Sequence, residues 1–207
     1  MSLPFDPLAH ALYGLGWLSF GLSHSWLAGP AAERRFKPLF GAWWRIVYNV
    51  ISTLHILLVM ALGGWLLPAG QPLPLPDWAP WAMGAVGVLG VGLMVWFAGY
   101  YDGMRLLGVT QLKGAHEGHA ESDEEPLHRV GPHRYVRHPL YSAGILIFWG
   151  LAFTEAGLAT AIWATLYFWL GSRHEERKLT RLFGEDYTRY RNTVPALIPW
   201  KGRAWVE

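Results

Sequence analysis

Long apolar stretches alternate with short polar ones along the first half of the chain. The apolar stretches cover about residues 8–28, 46–67 and 78–101. Each is close to the ~20 residues that a helix needs to cross ~30 Å of hydrocarbon. The pattern therefore predicts three membrane-spanning helices before residue 102.

The next apolar region is longer and interrupted. Residues 140–153 and 158–170 are apolar, and residues 154–157 between them are typical of a turn. One interpretation is a single long helix with Glu155 at mid-membrane, where a carboxylate costs about 3 kcal/mol. The other is a helical hairpin with Glu155 at its outer tip, which avoids that cost and is favoured. The predicted fold is an all-α integral membrane protein with five transmembrane helices, the last two forming this hairpin.

The distribution of basic residues sets the expected orientation. All lysines and arginines fall between the first and second apolar stretches, between the third and fourth, or after the last. They are Arg34, Arg35, Lys37, Arg45, Arg105, Lys113, Arg129, Arg134, Arg137, Arg173, Arg177, Lys178, Arg181, Arg189, Arg191, Lys201 and Arg203. Basic segments stay in the cytoplasm. We therefore expect an inner (cytoplasmic) membrane protein with its N-terminus outside and its C-terminus inside.

The composition agrees with a membrane location. Apolar residues make up 52% and charged residues 15% of the 207 residues, and soluble domains usually carry about a quarter charged residues. The absence of cysteine excludes disulfides, thiolate metal sites and a cysteine nucleophile. Residues 1–7 lack the basic region of a signal peptide, so the first stretch is expected to remain as a span.

We expect one membrane domain over residues 1–207. It consists of a three-helix part (1–102), a cytoplasmic loop (103–138), the helical hairpin (139–171) and a cytoplasmic helical tail (172–207). Residues 113–125 are rich in glycine, histidine and acidic residues and are expected to be mobile. In the tail, Gly184 is expected to stop or kink the helix, and a second short helix is expected over residues 185–192, bringing Tyr187 near Tyr190.

The tripeptide Arg137-His138-Pro139 directly precedes the hairpin. Proline suits the first turn of a helix, so Arg137 and His138 lie just before a helix N-terminus. Such a position attracts a carboxylate or phosphate. The alternative is an interfacial arginine anchor followed by a helix-starting proline.

Two adjacent carboxylates, Glu175 and Glu176, follow the hairpin. Paired carboxylates bind hydroxyl groups or an ammonium group. The alternative is a solvated helix face on which Glu175 pairs with Lys178 three residues later.

Several histidines are candidates for chemistry. His24 lies inside the first apolar stretch, where ionisable residues often serve function, although it is equally compatible with a neutral histidine bonded to the backbone. His55 in the second stretch presents the same two options. The loop histidines His116, His119, His128 and His133 fit no compact ligand geometry, and no metal site is expected. No phosphate loop or dinucleotide fingerprint is present, and no nucleic-acid partner is expected.

Taken together and in order, these motifs resemble a known family. The segments are 131–141 (GPHRYVRHPLY), 175–179 (EERKL), 183–190 (FGEDYTRY) and 194–199 (VPALIP). They are similar to the isoprenylcysteine carboxyl methyltransferase superfamily of integral-membrane methyltransferases, over about the last 75 residues. His24-Ser25, Phe36-Lys37 and residues 107–111 are also similar to the bacterial branch that contains methanethiol S-methyltransferases.

The resemblance implies S-adenosylmethionine as the methyl donor, bound at the cytoplasmic face. The implied cofactor-binding residues are Tyr135, Arg137, His138, Pro139, Tyr141, Glu175 and Glu176. The donor carboxylate suits Arg137 and His138, and its hydroxyls and ammonium group suit the glutamates. Its sulfonium suits an aromatic face such as that of Tyr135, Tyr141 or Tyr187.

The expected function is a membrane methyltransferase that acts on a small lipophilic acceptor, most simply a thiol, which enters from the bilayer. The expected catalytic residues are His24, His138 and Arg137, with His24 or His138 accepting the thiol proton. An alternative acceptor is a prenylated cysteine carboxylate or an amino-lipid. Alternatives outside methyl transfer are a membrane accessory protein and a relative of the NADPH-dependent sterol reductases. The sequence does not indicate an oligomeric state.

Overall fold

The computed structural model describes residues 6–67, 72–116 and 127–206. These residues form helices joined by turns, with no strand among them and a single isolated β-bridge between Pro72 and Thr154. The prediction of an all-α fold is confirmed. The helices are α1 (Pro7–Leu27), α2 (Pro30–Phe40), α3 (Trp44–Leu66), α4 (Ala79–Ala98), α5 (Gly103–Leu107), α6 (Val109–His116), α7 (Pro139–Gly150) and α8 (Glu155–Thr193).

The chain divides into two compact units. The described part of unit one is residues 6–67 and 101–116, with α1, α2, α3, α5 and α6. The described part of unit two is residues 72–100 and 127–206, with α4, α7, α8 and the C-terminal tail.

Two helical stretches are long and apolar enough to cross a membrane: Pro30–Leu66, which includes α2 and α3, and Ala79–Ala98, which is α4. In their most apolar windows only 17% and 11% of residues are buried within the protein. A core helix of a soluble protein would bury most of its apolar side chains, so these exposed faces favour contact with lipid. Helix α7 is apolar but shorter.

Unit one is built on α1 packed against α3. Asp6 caps α1 by accepting hydrogen bonds from the amides of Leu8 and Ala9. Tyr13 on α1 is fully buried, and a side chain at Gly63 on α3 would collide with its ring. Because Gly63 leaves that space open, the two helices approach closely.

Two features of unit one differ from the sequence-based expectation. Helix α2 was not predicted, and its ring contacts with α1 and α3 stabilise it: Phe36 stacks on Trp44 at 5.3 Å and meets Trp26 edge-on at 5.9 Å. The predicted loop after residue 102 begins with α5 and α6. The first residues of the stretch predicted to be mobile, 113–116, therefore belong to α6, and residues 117–125 lie outside the described residues.

Unit two is held together by glycine contacts between α4 and α7. The backbones of Gly87 and Gly150 touch, and a side chain at Gly90 would collide with α7 near Ala143 and Ile147. Gly87 and Gly90 therefore let α4 and α7 approach closely. Gly92 has open space beside it.

Helices α7 and α8 are separated by residues 151–154 and pack against each other. Thr154 caps α8 by accepting a hydrogen bond from the amide of Gly157, and the indole of Trp149 donates to Thr165 at 3.0 Å. Helix α8 then continues far beyond its apolar half. Gly184 has φ 53° and ψ −124° and kinks the helix, as predicted.

Candidate functional site

The tripeptide Arg137-His138-Pro139 lies at the start of α7. Pro139 occupies the first turn of α7, and His138 is its N-cap residue. The segment is fixed by the C-terminal tail, because the amide of Arg137 donates to the carbonyl of Pro195 at 2.9 Å and that of His138 to Ala196 at 3.1 Å. The hydroxyl of Ser142 donates to the Leu197 carbonyl at 2.6 Å. The tail therefore lies along the start of α7.

The structure brings Arg137 and Glu176 together. Arg137 donates from Nε and Nη2 to Oε1 of Glu176, at 3.0 and 2.5 Å. Its Nη1 donates to the carbonyls of Arg191, at 2.9 Å, and of Val194. Four of the five N–H groups of this guanidinium are thus bonded within the protein. Both side chains are buried, with 10% and 9% exposed.

Glu176 also receives a hydrogen bond from His138. Its Oε1 lies 3.2 Å from Nε2 of that histidine. Burial alone would raise the pKa of Glu176, but the hydrogen bonds from His138 and Arg137 outweigh it and hold the pKa below its ordinary value. Glu176 is therefore a buried, ionised carboxylate whose charge is matched inside the protein.

Glu175 has a different environment. Its side chain is 45% exposed, and its Oε2 accepts from the Tyr141 hydroxyl at 3.0 Å and lies 3.4 Å from Nδ1 of His138. Desolvation opposes ionisation, but His138 and Tyr141 together lower the pKa of Glu175. The predicted pairing with Lys178 appears as a weaker electrostatic contribution. Glu175 thus presents a negative charge to the surface.

His138 lies between the two carboxylates. Burial disfavours its charged form, but the hydrogen bonds and charges of Glu175 and Glu176 outweigh burial and raise the pKa of His138. Its ring stacks on that of Tyr141, with centroids 5.3 Å apart and an interplanar angle of 11°. The Tyr141 ring in turn contacts Phe168 at 5.2 Å. We call Arg137, His138, Tyr141, Glu175 and Glu176 the carboxylate cluster.

The other two aromatic candidates differ in burial, and the charges of Glu176 and Arg137 act on the hydroxyl of the buried one, Tyr187. Tyr135 is 40% exposed, and within the described residues its side chain has no hydrogen bond or ring contact to the cluster. Tyr187 is 1% exposed and packs with Tyr190 and Val194. The prediction that Tyr187 lies near Tyr190 is confirmed, with ring centroids 6.0 Å apart. Such burial makes Tyr187 a core residue rather than an accessible aromatic face.

The sequence did not indicate the residues that fix the tail. The Tyr190 hydroxyl donates to the His133 carbonyl at 2.7 Å, and the amides of Ala204 and Trp205 donate to the Arg134 carbonyl.

The described loop histidines include one with a strongly shifted pKa. Burial, and then the nearby charge of His128, lower the pKa of His133 to about 4. The rings of His128 and His133 stack at 5.8 Å, and His119 lies outside the described residues.

The histidines of the apolar helices belong to unit one. The Tyr48 hydroxyl and Nε2 of His24 are 3.2 Å apart, and Phe20 contacts the same imidazole ring at 5.4 Å. His55 has its Nε2 3.1 Å from Ser19 Oγ and its Nδ1 3.0 Å from Ser23 Oγ. These bonds join α1 to α3.

Comparison with known proteins finds similarity to methyltransferases. The model of the phospholipid methyltransferase family matches residues 82–186. Methanethiol S-methyltransferase 2 of Bradyrhizobium diazoefficiens is 34% identical over 191 residues, which are 87% of this chain and 69% of that protein. A methanethiol S-methyltransferase of Crocosphaera subtropica is 30% identical over 205 residues, covering 89% of this chain and 72% of that protein.

A methanethiol S-methyltransferase of Mycobacterium tuberculosis is 39% identical over a shorter stretch of 72 residues, 34% of this chain and 30% of that protein. The chain spans 69% and 64% of the two Bradyrhizobium relatives that it matches. No solved structure matches.

Proposed function

Because the chain belongs to the phospholipid methyltransferase family and is a methyltransferase, we propose that it transfers the methyl group of S-adenosylmethionine to a small lipophilic thiol at a membrane. The observation that carries the donor site is the carboxylate cluster, in which Arg137-His138 and Glu175-Glu176, the two charged motifs of the sequence, meet. The choice of a thiol as acceptor is supported by relatives that match most of this chain and bear the name methanethiol S-methyltransferase.

The residues of the carboxylate cluster fit the cationic part of the donor. The half-exposed Glu175 offers a carboxylate to an ammonium group or to hydroxyls. One side of the Tyr141 ring is stacked on His138, and contact of its aromatic ring with the sulfonium stays part of the proposal. The donor supplies an electrophilic methyl group when it is bound, and the protein's task is to hold donor and acceptor in line and to exclude water.

The roles of Arg137 and Glu176 differ from that of Glu175. Arg137 has one N–H left after its bonds to Glu176 and the tail, so its main contribution is to position His138 and the tail around the site. A direct contact of Arg137 or His138 with the donor carboxylate stays part of the proposal, together with the roles of Tyr135, Pro139 and Glu176 in donor binding.

Methyl transfer to a thiol forms a sulfur–carbon bond, breaks the sulfonium–methyl bond and releases the thiol proton. Two histidines were expected to accept that proton. The two carboxylates beside His138 favour its protonated form, which makes it a weak acceptor. His24, whose Nε2 lies 3.2 Å from the Tyr48 hydroxyl, stays in the proposal as the other candidate acceptor.

We extend the proposal to the membrane arrangement. Helices α1, α3, α4 and α7 and the first half of α8 are five membrane helices, with α7 and α8 as the hairpin. The basic residues then lie on the cytoplasmic side of the inner membrane with the C-terminus and the carboxylate cluster, and the N-terminus lies outside.

A second acceptor class is an amine of a phospholipid headgroup, which the description of the family suggests, and a prenylated cysteine carboxylate was a further alternative from the sequence. Membership of a methyltransferase family disfavours the accessory-protein and reductase alternatives.

The test is ligand-dependent thermal stabilisation of the purified full chain, followed by a transfer assay. S-adenosylmethionine and its demethylated product should raise the melting temperature, and NADPH should not. Radiolabelled methyl should then pass to an alkanethiol and not to phosphatidylethanolamine. Stabilisation by NADPH alone would refute the donor assignment, and label in the phospholipid would replace the thiol by the second acceptor.

A further inference from the structure

Helix α2 (Pro30–Phe40) connects α1 to α3 and is bound to both by aromatic rings. Ala32 is fully buried, and Phe36 lies one turn later on the same side. At 100° per residue, Arg34 and Lys37 lie on the opposite side of the helix. The helix is therefore fixed in orientation, with Arg34 and Lys37 directed away from its buried side and Arg35 at its flank.

The segment that follows these basic residues is apolar and exposed. Leu39 is 72% exposed, Phe40 42% and Trp43 54%. Trp44 then begins α3, the apolar core of one of the two stretches able to cross a membrane. Exposed tryptophan and aliphatic side chains at the start of an apolar helix are typical of the boundary between headgroups and hydrocarbon.

The basic residues lie close to this boundary. From Arg34 to Leu39 the helix rises about 7.5 Å at 1.5 Å per residue, which is within the ~10 Å over which a charged lipid surface acts at moderate salt. Arg34, Arg35 and Lys37 are exposed. A shallow depression of about 350 Å³, lined by Glu33, Arg34, Lys37 and Pro38, is present on the same surface.

We propose, on the membrane arrangement proposed above, that α2 lies at the membrane boundary and that its basic surface, formed by Arg34, Arg35 and Lys37, binds the phosphates of anionic phospholipids in the adjoining leaflet. Charge complementarity selects the partner, because three basic side chains accompany the single acidic Glu33, which Lys37 contacts at 2.7 Å. The guanidinium groups match phosphate oxygens in pairs. This binding is separate from the methyl donor and acceptor.

The test uses the full chain in nanodiscs of equal parts phosphatidylcholine and phosphatidylglycerol. Electron spin resonance with spin-labelled lipids gives the association of each lipid relative to the other. The protein should prefer phosphatidylglycerol, and added salt should reduce the preference. Arg34→Gln with Arg35→Gln should reduce the preference for phosphatidylglycerol by up to about fivefold for each arginine. This factor corresponds to the ~1 kcal/mol that one basic residue contributes near an anionic surface.

Two control variants make the result specific. Lys178→Gln with Arg181→Gln removes the same amount of charge elsewhere. These two positions lie about 12 and 16 Å along α8 beyond Leu170, where the apolar stretch of that helix ends. The variant should leave the preference for phosphatidylglycerol nearly unchanged. Arg34→Lys with Arg35→Lys keeps the charge and should keep most of the preference.

Three results would overturn the proposal: equal association of both lipids with the unsubstituted protein, an equal loss in the two glutamine pairs, or loss of preference when inorganic phosphate replaces chloride at constant ionic strength. The last would assign the surface to free phosphate instead of lipid.

Discussion

Arg137 and Glu176, which lie 39 positions apart, meet at a single carboxylate oxygen that receives two hydrogen bonds from the guanidinium. The same guanidinium bonds the carbonyls of Arg191 and Val194 at the end of α8. One side chain therefore connects the start of α7, the middle of α8 and the beginning of the tail. The ion pair belongs to the framework that holds His138 and Glu175 in place.

Breaking this pair should destabilise unit two. Arg137→Gln and Glu176→Gln should each cost about 3 kcal/mol, because each leaves a buried charge without its partner. The double substitution should cost less than the sum of the two, since both remove the same interaction. Melting temperatures of the three variants in detergent measure the coupling.

The exposed pair Arg189–Asp186, at 3.6 Å, is the control. Its removal by Arg189→Gln should cost less than about 1 kcal/mol, as surface pairs do. Additive effects at Arg137 and Glu176 would show that the two side chains act independently.

Donor affinity should depend on Glu175 and on the Tyr141 hydroxyl. Glu175→Gln removes a half-exposed charge and should weaken S-adenosylmethionine binding about tenfold or more, the range of a charge-assisted hydrogen bond. Tyr141→Phe should weaken it about fivefold, because the ring stays and only the bond that orients Glu175 is lost. Isothermal titration calorimetry measures both.

Glu185→Gln is the control for these variants, because it removes an exposed carboxylate of α8 that lies outside the carboxylate cluster. Its effect should be below about twofold. Unchanged affinity in Glu175→Gln would remove this carboxylate from the donor site.

The sequence predicted α1, α3, α4 and α7 to within a few residues, because polar residues, glycine and proline bound each apolar stretch, whereas α8 continues to Thr193, far beyond its apolar half. It also placed Arg137-His138 and Glu175-Glu176 at the same end of a turn-connected helix pair. The sequence did not reveal that the carboxylate of Glu176 makes its hydrogen bonds inside the protein while the side chain of Glu175 is half exposed. Adjacent helix residues point in different directions, and tertiary packing decides which of the two is buried. Helix α2 was missed because its stability comes from contacts with Trp26 and Trp44, not from its own sequence.

The glycine contact between α4 and α7 should tolerate no added side chain. Gly150→Ala would place a methyl group against the Gly87 backbone, and overpacking of this kind costs about 1–3 kcal/mol. Gly92→Ala on α4 meets open space and should leave the melting temperature unchanged or slightly raised. Equal melting temperatures for both variants would contradict the close approach of the two backbones.

Stability at mildly acidic pH should depend on His133. Burial, reinforced by the charge of His128, lowers its pKa to about 4, whereas an unfolded histidine titrates near 6.5. The unfolded state therefore binds a proton first as the pH falls below about 6.5, and up to about 3 kcal/mol of stability is lost by pH 4. His133→Gln should remove this contribution to the pH dependence.

The control for this prediction is His174→Gln, at an exposed position of α8. It should leave the profile of melting temperature against pH unchanged. A His133→Gln profile parallel to that of the unsubstituted protein between pH 4 and 6.5 would show that another group is responsible. In the carboxylate cluster, stability from Glu175 and Glu176 is likewise lost as the pH falls through their lowered pKa values, whereas stability from His138 is lost as the pH rises through its raised pKa.

The dependence of the methyl-transfer rate on the acidity of the thiol should identify the proton acceptor. An alkanethiol is mostly protonated at neutral pH and needs a base, whereas an acidic arylthiol is already ionised. If His24 accepts the proton, His24→Gln should reduce methyl transfer to the alkanethiol by about 100-fold or more and leave transfer to the arylthiol nearly unchanged. Tyr48→Phe, which removes only the hydroxyl on Nε2, should show the same selectivity more weakly. Equal losses with both thiols, or a selective loss in His138→Gln instead, would assign His24 a structural role in the contact between α1 and α3.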